Sequence, residues 1–483
     1  MALDVAALGR KTFISQSGLS EVLTAIKKTG QIPEATSKAT VKRRREDAVS
    51  IETPYGSLIQ MMKAETLEGT FIEIPYCSPA ALLWHTSRTC HRMREFLDSA
   101  AAKHENSLNS KWKLAVYLDE VSPGNQLKVH NRRKLQACYF SIQEFGGYNL
   151  SQEHAWCVLA CVRTDLVNQL KDGLTQLFKL WIKAFFCESG NLSAGISLQI
   201  NGMDRMMAFS LGYIVADEAA IKHAFENKGA AGKMLCLFCQ TTIQKRYAPA
   251  VLGMLVPHTE VDHSNLILHT DHSIWQVVDH LHAEYMAGLS KKEFSDLETR
   301  LGFNYTPHGV LLDHDLRAIV RPISQTCFDP MHVYLVAGIW HREVSLLMNV
   351  LAADGYRQPS LHDFCSSFIW PMIHGGASCP AKNSFRKKKE PDAEFKCGAS
   401  EALALYPVLR AFLVHQVEQP SAPLRQAIES YYRLCEVLDS LKAATVGTIA
   451  PAVFTNQIEA HLTKFKAPRS VNVVARVHVV YYF

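Results

Sequence analysis

No stretch of the 483-residue chain approaches the roughly 20 apolar residues that a membrane-spanning helix needs. At its start the chain also lacks the basic, apolar and small-residue succession of a secretory leader. A soluble protein of the nucleus or cytoplasm, without a membrane partner, is the expectation. Strong charge of one sign is missing too: 51 Lys and Arg stand against 46 Asp and Glu, a formal excess of +5. So mild an excess permits a polyanionic partner without demanding one. The 13 cysteines are odd in number and follow no repeating framework, which excludes a secreted disulfide scaffold and points to reduced thiols. No small-molecule organic cofactor is expected. Hydrophobic residues make up 48% and charged ones 20%, ordinary globular usage, so function has to be sought in particular residues.

What basic charge there is comes in clusters. Lys42, Arg43, Arg44 and Arg45 form one run, Arg132, Arg133 and Lys134 a second, and Arg386, Lys387, Lys388 and Lys389 a third. Runs of this length can neutralise the phosphates of double-stranded DNA. Taken singly, such a run is more often a solvated loop, and Lys42–Arg45 also suits a nuclear import signal.

A chain this long suggests about three structural units, one of which interrupts another. Residues 1–50 read as a polar basic arm, partly disordered, and residues 51–110 as a helical leading domain that opens on a polar strand region before Ser78 and Pro79 start a helix. The pattern then turns to short apolar runs bounded by turns or charges: KLAVYLDEV, KLQACYFSIQEF and AWCVLACVR, three strands of a meander. A long amphipathic helix, DLVNQLKDGLTQLFKLWIKAFF, follows, then GISLQI and MMAFSLGYIVAD as strands and EAAIKHAF as a helix. This is the order of an RNase H-like α/β core with a mixed sheet, whose fourth strand returns beside the first. GISLQI is surplus to that order and pairs as a hairpin with MMAFSL. The first part of the core is placed at 111–246, a mostly helical insertion at 247–395, returning helices at 396–466 and an atypical, β-prone tail at 467–483.

Phosphodiester hydrolysis and transfer use two divalent cations about 4 Å apart, and hard cations take carboxylate oxygens. Asp119 in KLAVYLDEV, Asp217 closing AFSLGYIVAD and Glu401 opening an apolar helix form an ordered carboxylate set. Singly, an Asp at a strand end is usually a cap, and a Glu at a helix start a favourable N-terminal charge; Ser400 as N-cap would give Glu401 that lesser role. Glu343, Glu394 and Glu418 are rivals for the third position, while Glu120 falls on the opposite face of its strand. Cys236 and Cys239 have the spacing of two zinc ligands. His258, His263, His269 and His272 are candidates for the rest, and a packed, metal-free knuckle suits the pair equally well. In the tetrad from Asp329 to His332, Pro330 belongs to a first helical turn, with Asp329 as N-cap and His332 as its partner.

The run ADEAAIKHAFENKGAAGKMLCLFC and the later Asp-Pro-Met-His resemble CACTA-type DNA transposases, the En/Spm-like cut-and-paste group, over about residues 55–444. The resemblance implies an Asp-Asp-Glu site in which Asp119, Asp217 and Glu401 hold two Mg²⁺ or Mn²⁺ for DNA hydrolysis and strand transfer. It maps the family's second aspartate and following cysteine pair onto Asp217, Cys236 and Cys239, with Zn²⁺ at the thiols. Asp329 and His332 stand for its Asp/Cys-x-x-His motif, and a homo-oligomer on double-stranded DNA is the implied assembly. Residues 1–50 carry no zinc or helix-turn-helix signature, and the tail breaks the family's helical pattern. Both departures motivate an alternative: a truncated or decayed, catalytically inactive copy that only binds DNA or protein. A helical scaffold with an incidental α/β core is a third reading, and it would leave Asp119 and Asp217 far apart.

Overall fold

The structure, a computed structural model, describes residues 50–122, 133–187, 190–234, 236–242, 256–257, 267–336, 338–386, 395–444 and 449–466, besides Ile26 and Asp47. Lys42–Arg45, Arg132, Lys387–Lys389, His258, His263, Glu394 and the tail 467–483 lie outside these residues.

The fold is mixed α/β. After a two-residue pair, Glu52–Thr53 with Gly56–Ser57, the hairpin strands Ile59–Glu65 (β1) and Phe71–Cys77 (β2) occupy the expected polar strand region. Helices Pro79–Thr89 (α1) and His91–Ala101 (α2) follow, the first capped by the Ser78 hydroxyl with Pro79 at its first position, where a missing N–H costs nothing. Trp112–Val121 (β3), Leu135–Ile142 (β4) and Cys157–Arg163 (β5) form the expected antiparallel meander.

The single helix expected next is broken. A one-turn helix, Thr164–Val167, is separated by residues 168–172 from Gly173–Phe186 (α3), which opens on Gly173 at φ 55°, a left-handed conformation that glycine takes freely. Helix α3 buries Leu177, Phe178, Trp181, Ile182 and Phe185 completely, each contributing about 1.5–3 kcal/mol.

Strands Ile196–Ile200 (β6) and Met203–Met207 (β7) make a separate hairpin through Asn201 and Gly202, both at positive φ as a two-residue turn requires. The hairpin takes only the first part of the expected run. After Ala208 the chain enters Phe209–Ala216 (β8), parallel to β3. Helix Glu218–Phe225 (α4) leaves the end of β8, and helices Asp271–Met286 (α5) and Lys291–Leu301 (α6) come later, each opened by a capping box.

The segment expected to be a helical insertion holds a strand. Thr326–Phe328 (β9) pairs in parallel with β8, completing a five-stranded mixed sheet in the order β9-β8-β3-β4-β5. Helices Pro330–Tyr334 (α7), Ile339–Ala353 (α8), Gln358–Ser367 (α9), Ala399–Gln416 (α10), Ala422–Ala444 (α11) and Pro451–Lys466 (α12) finish the chain. Buried apolar residues from Met62 to Leu462 form one continuous cluster. Among the described residues no helix is long and apolar enough to cross a membrane.

Candidate active site

Three neighbouring parallel strands bring three aspartates into one row. Leu118 of β3 is in register with Ala216 of β8, and Ala216 with Phe328 of β9. The next residue on each strand is Asp119, Asp217 and Asp329, and neighbouring strands lie about 4.8 Å apart. Asp217 is in the middle. The separation of Asp119 and Asp217 expected of a helical scaffold is not found, since they follow paired residues of neighbouring strands.

A bulge makes the row possible. Between Leu211 and Tyr213 the register with β3 slips by one residue at Gly212. A Cβ on Gly212 would meet the Lys113 Cβ at 2.6 Å, so the backbones approach where only glycine is tolerated. Without the slip, Asp217 would sit opposite Glu120, whose side chain belongs to the other face.

Each aspartate is held differently. Asp119 is inside β3, its backbone paired with Ala137. Asp217 is the last extended residue before α4 and its N-cap, Oδ1 accepting from the Ala220 N–H at 2.6 Å. Asp329 donates its N–H to the Ala216 carbonyl at 2.8 Å, prolonging the ladder, and then caps α7 by accepting from the Met331 N–H at 2.9 Å. Its second oxygen, Oδ2, is 2.5 Å from His332 Nδ1. The capping geometry expected of Asp329 and His332 is present, and it is located beside the other two aspartates.

The charges are mutually felt. Burial, followed by the fields of Asp217 and Asp329, raises the Asp119 carboxyl above the usual carboxylate range, against an opposing pull from His332. The hydrogen bond to Asp329 raises the His332 imidazole, and the Asp217 and Asp119 charges add to it. The Tyr117 phenol, two residues before Asp119 and on the same strand face, is raised by burial and then by Asp119, Asp329 and Asp217. A cavity of about 280 Å³ opens beside this row, lined by Asp217, Glu218, Ala219, Lys222, His332, Val333 and Val336.

Glu401 is not part of the row. It occupies the first turn of α10, where Oε2 accepts the Gly398 N–H at 2.7 Å; the helix is capped at Gly398 and not at Ser400. Of its rivals, Glu343 is wholly buried, accepting from Ser430 Oγ at 2.5 Å and lying 2.6 Å from His461 Nε2. Glu418 is exposed beyond α10. Glu120 turns away from Asp119 and pairs with Lys134 Nζ at 2.5 Å, which engages one of the basic residues considered for DNA contact. Arg133 and Arg386 are exposed.

Cys236 and Cys239 are buried free thiols. Their mutual hydrogen bond lowers the Cys236 thiol. Leu268 bridges to Cys239, and the next residue, His269, is buried with Nδ1 3.0 Å from Ser273 Oγ; burial depresses its imidazole to about 4. His272 is exposed. Among the described residues no group of three or more His, Cys, Asp or Glu side chains is assembled as a ready-made metal site. Phe238, between the thiols, packs on Phe328 with ring centres 5.3 Å apart, so the cysteine loop buttresses the strand that carries Asp329.

Sequence reasoning favoured Asp329 as a cap over a direct role near DNA, and passed over Tyr117 and Lys222. For Asp329 a signal existed: an aspartate directly after TCF, an apolar β-prone triplet. No protein-family model matches the chain, and no curated protein matches it.

Proposed function

We propose that the protein is a divalent-metal-dependent DNA phosphodiester hydrolase and strand transferase, an RNase H-like and transposase-like enzyme. The observation that carries the reading is the row Asp119, Asp217 and Asp329, brought side by side by the register of three adjacent parallel strands. A meander followed by two parallel strands beside its first member is also the strand order of an RNase H-like core. The likeness to CACTA-type transposases around 210–240 and 327–340 supports the same class.

The donor type is that of a hard cation's site, though no closed three-ligand group is formed among the described residues. Carboxylate oxygens are the ligands that Mg²⁺ and Mn²⁺ take, and a row whose charges already hinder ionisation of Asp119 is one that a dication would relieve. Bound there, the metal would supply charge stabilisation and an activated water. Asp119 and Asp217 are the assigned ligands, with Asp329 in the third position in place of Glu401. His332, fixed by Asp329 and lining the cavity, brings positive charge to a phosphate, as does Lys222. In this reading Cys236 and Cys239 hold Zn²⁺ with His269 or remain a packed thiol pair.

Calorimetry with Mg²⁺ or Mn²⁺, run with and without duplex DNA, tests the site alongside nicking assays. Asp217→Asn and Asp329→Asn are expected to lose metal-dependent nicking by 10²-fold or more, the scale of removing a principal electrostatic element. Glu401→Gln is expected to keep it within a few-fold. Wild-type nicking rates in Asp217→Asn would overturn the reading. An absence of metal binding in wild type, with DNA present, would favour the binding-only alternative.

A further inference from the structure

We propose that the turn around Ile369–Ile373 is a wedge that inserts at a base step of duplex DNA, with Lys382 and Arg386 holding phosphates beside it. The choice of partner rests on the function proposed above. Ile369, Met372 and Ile373 are 91%, 86% and 88% exposed. Burying each would return about 1.5–3 kcal/mol, and three such side chains within five residues are a patch, not scatter.

The tip stands on a firm base. Trp370 is buried between the exposed residues, donating Nε1–H to the Cys365 carbonyl at 2.8 Å, and its ring packs on Phe368. Phe364 ties the same support to Phe412 of α10. The N–H groups of His374 and Gly376 both bond the Pro371 carbonyl, at 3.0 and 3.1 Å, and Gly375 and Gly376 take the positive φ that closes the turn. The apolar side chains are therefore presented rather than shed by a loose segment.

Charge selects the occupant. From Arg357 to Lys389 the sequence has six lysines and arginines against one aspartate, Asp363, before Glu390, Asp392 and Glu394 follow. Lys382 lies in the turn Pro380–Asn383 and Arg386 just beyond, where Gln358 of α9 donates to the Phe385 carbonyl at 3.0 Å. A second copy would bring the same positive excess against itself. Duplex DNA offers phosphates for the cations and base steps that Ile, Met and Pro side chains open.

The test uses the full chain and an end-labelled duplex of about 30 bp, with anisotropy for affinity across a salt series and end-to-end energy transfer for bending. The triple variant Ile369→Ser, Met372→Ser, Ile373→Ser is expected to bind at least tenfold more weakly and to lose bending, with its salt slope unchanged. Lys382→Ala with Arg386→Ala is expected to reduce the slope by about 2 while bending persists. Wild-type binding and bending in the triple variant would overturn the proposal. So would a wild-type chain that binds no duplex, or self-association lost in the triple variant with DNA binding intact. Nicking by Asp217→Asn is read separately: wedge-dependent bending without metal-dependent nicking would sink the catalytic reading and leave the wedge standing.

Discussion

At Asp119, burial and the charges of Asp217 and Asp329 act against ionisation, while His332 and the Glu120 N–H act for it, and the outcome is a raised carboxyl. A carboxyl raised by folding leaves the folded state less favoured as pH climbs from the ordinary carboxylate value to the raised one. His332 is also raised, so its stabilising bond to Asp329 is complete below the ordinary imidazole range and is lost as pH climbs through the raised value. The metal-free protein should thus lose stability in two steps with rising pH. Asp119→Asn is expected to remove the lower step and raise the melting temperature at neutral pH. The gain should be about 0.5–2 kcal/mol, the range of stabilising single substitutions. Melting scans in chelator from pH 4 to 9 check this, and a lower melting temperature for the variant would show that Asp119 is a structural carboxylate. Asp119 and Asp217 were legible in the sequence because one interrupts and the other closes a long apolar run. Asp329 left only the short signal of the preceding TCF, because its strand has three residues, too few for a period.

Among the elements, β8 sets the row, and it does so through one bulge. Gly212→Val would place branched carbon against the Lys113 Cβ and the Leu114 carbonyl, 2.6 and 3.2 Å from a Cβ at that position. A cost of about 1–3 kcal/mol is expected, with metal-dependent nicking falling further than the stability loss explains, because the register of Asp217 shifts. Melting and nicking measured on the same preparation decide it; unchanged nicking would mean that the bulge does not govern the site. The meander, the parallel return of β8 and the amphipathic helices were readable from alternation and three-four spacing. The bulge was not, since a glycine in a strand looks the same whether it bulges or pairs. The break before α3 hides likewise, because Asp172-Gly173 sits where the apolar stripe runs on.

On the scale of the whole molecule, the last helices are joined through a polar knot in an apolar interior. Glu343 of α8, Ser430 of α11 and His461 of α12 meet with almost no exposure, while His461 Nδ1 has no hydrogen-bond partner among the described residues. Removing one member leaves the others buried and unpaired, which costs about 3–5 kcal/mol. His461→Ala is therefore expected to melt several degrees lower, and the double variant Glu343→Leu, His461→Leu to recover most of the loss. Equal melting of His461→Ala and wild type would refute the knot's structural weight. No periodic reading of the chain could have paired residues so distant in sequence.

The short strand β9 has a consequence for how the protein comes into being. It joins β8 only after α4, α5 and α6 have been made, and β8 and β9 are neighbours in the sheet. On the ribosome, then, the sheet waits with β8 as a bare edge, and two aspartates stand without the third until the chain has passed Asp329. The acidic row is the last part of the sheet to be finished, and a fragment ending before Thr326 would carry an unpaired edge strand, the feature that natural sheets otherwise guard against self-association.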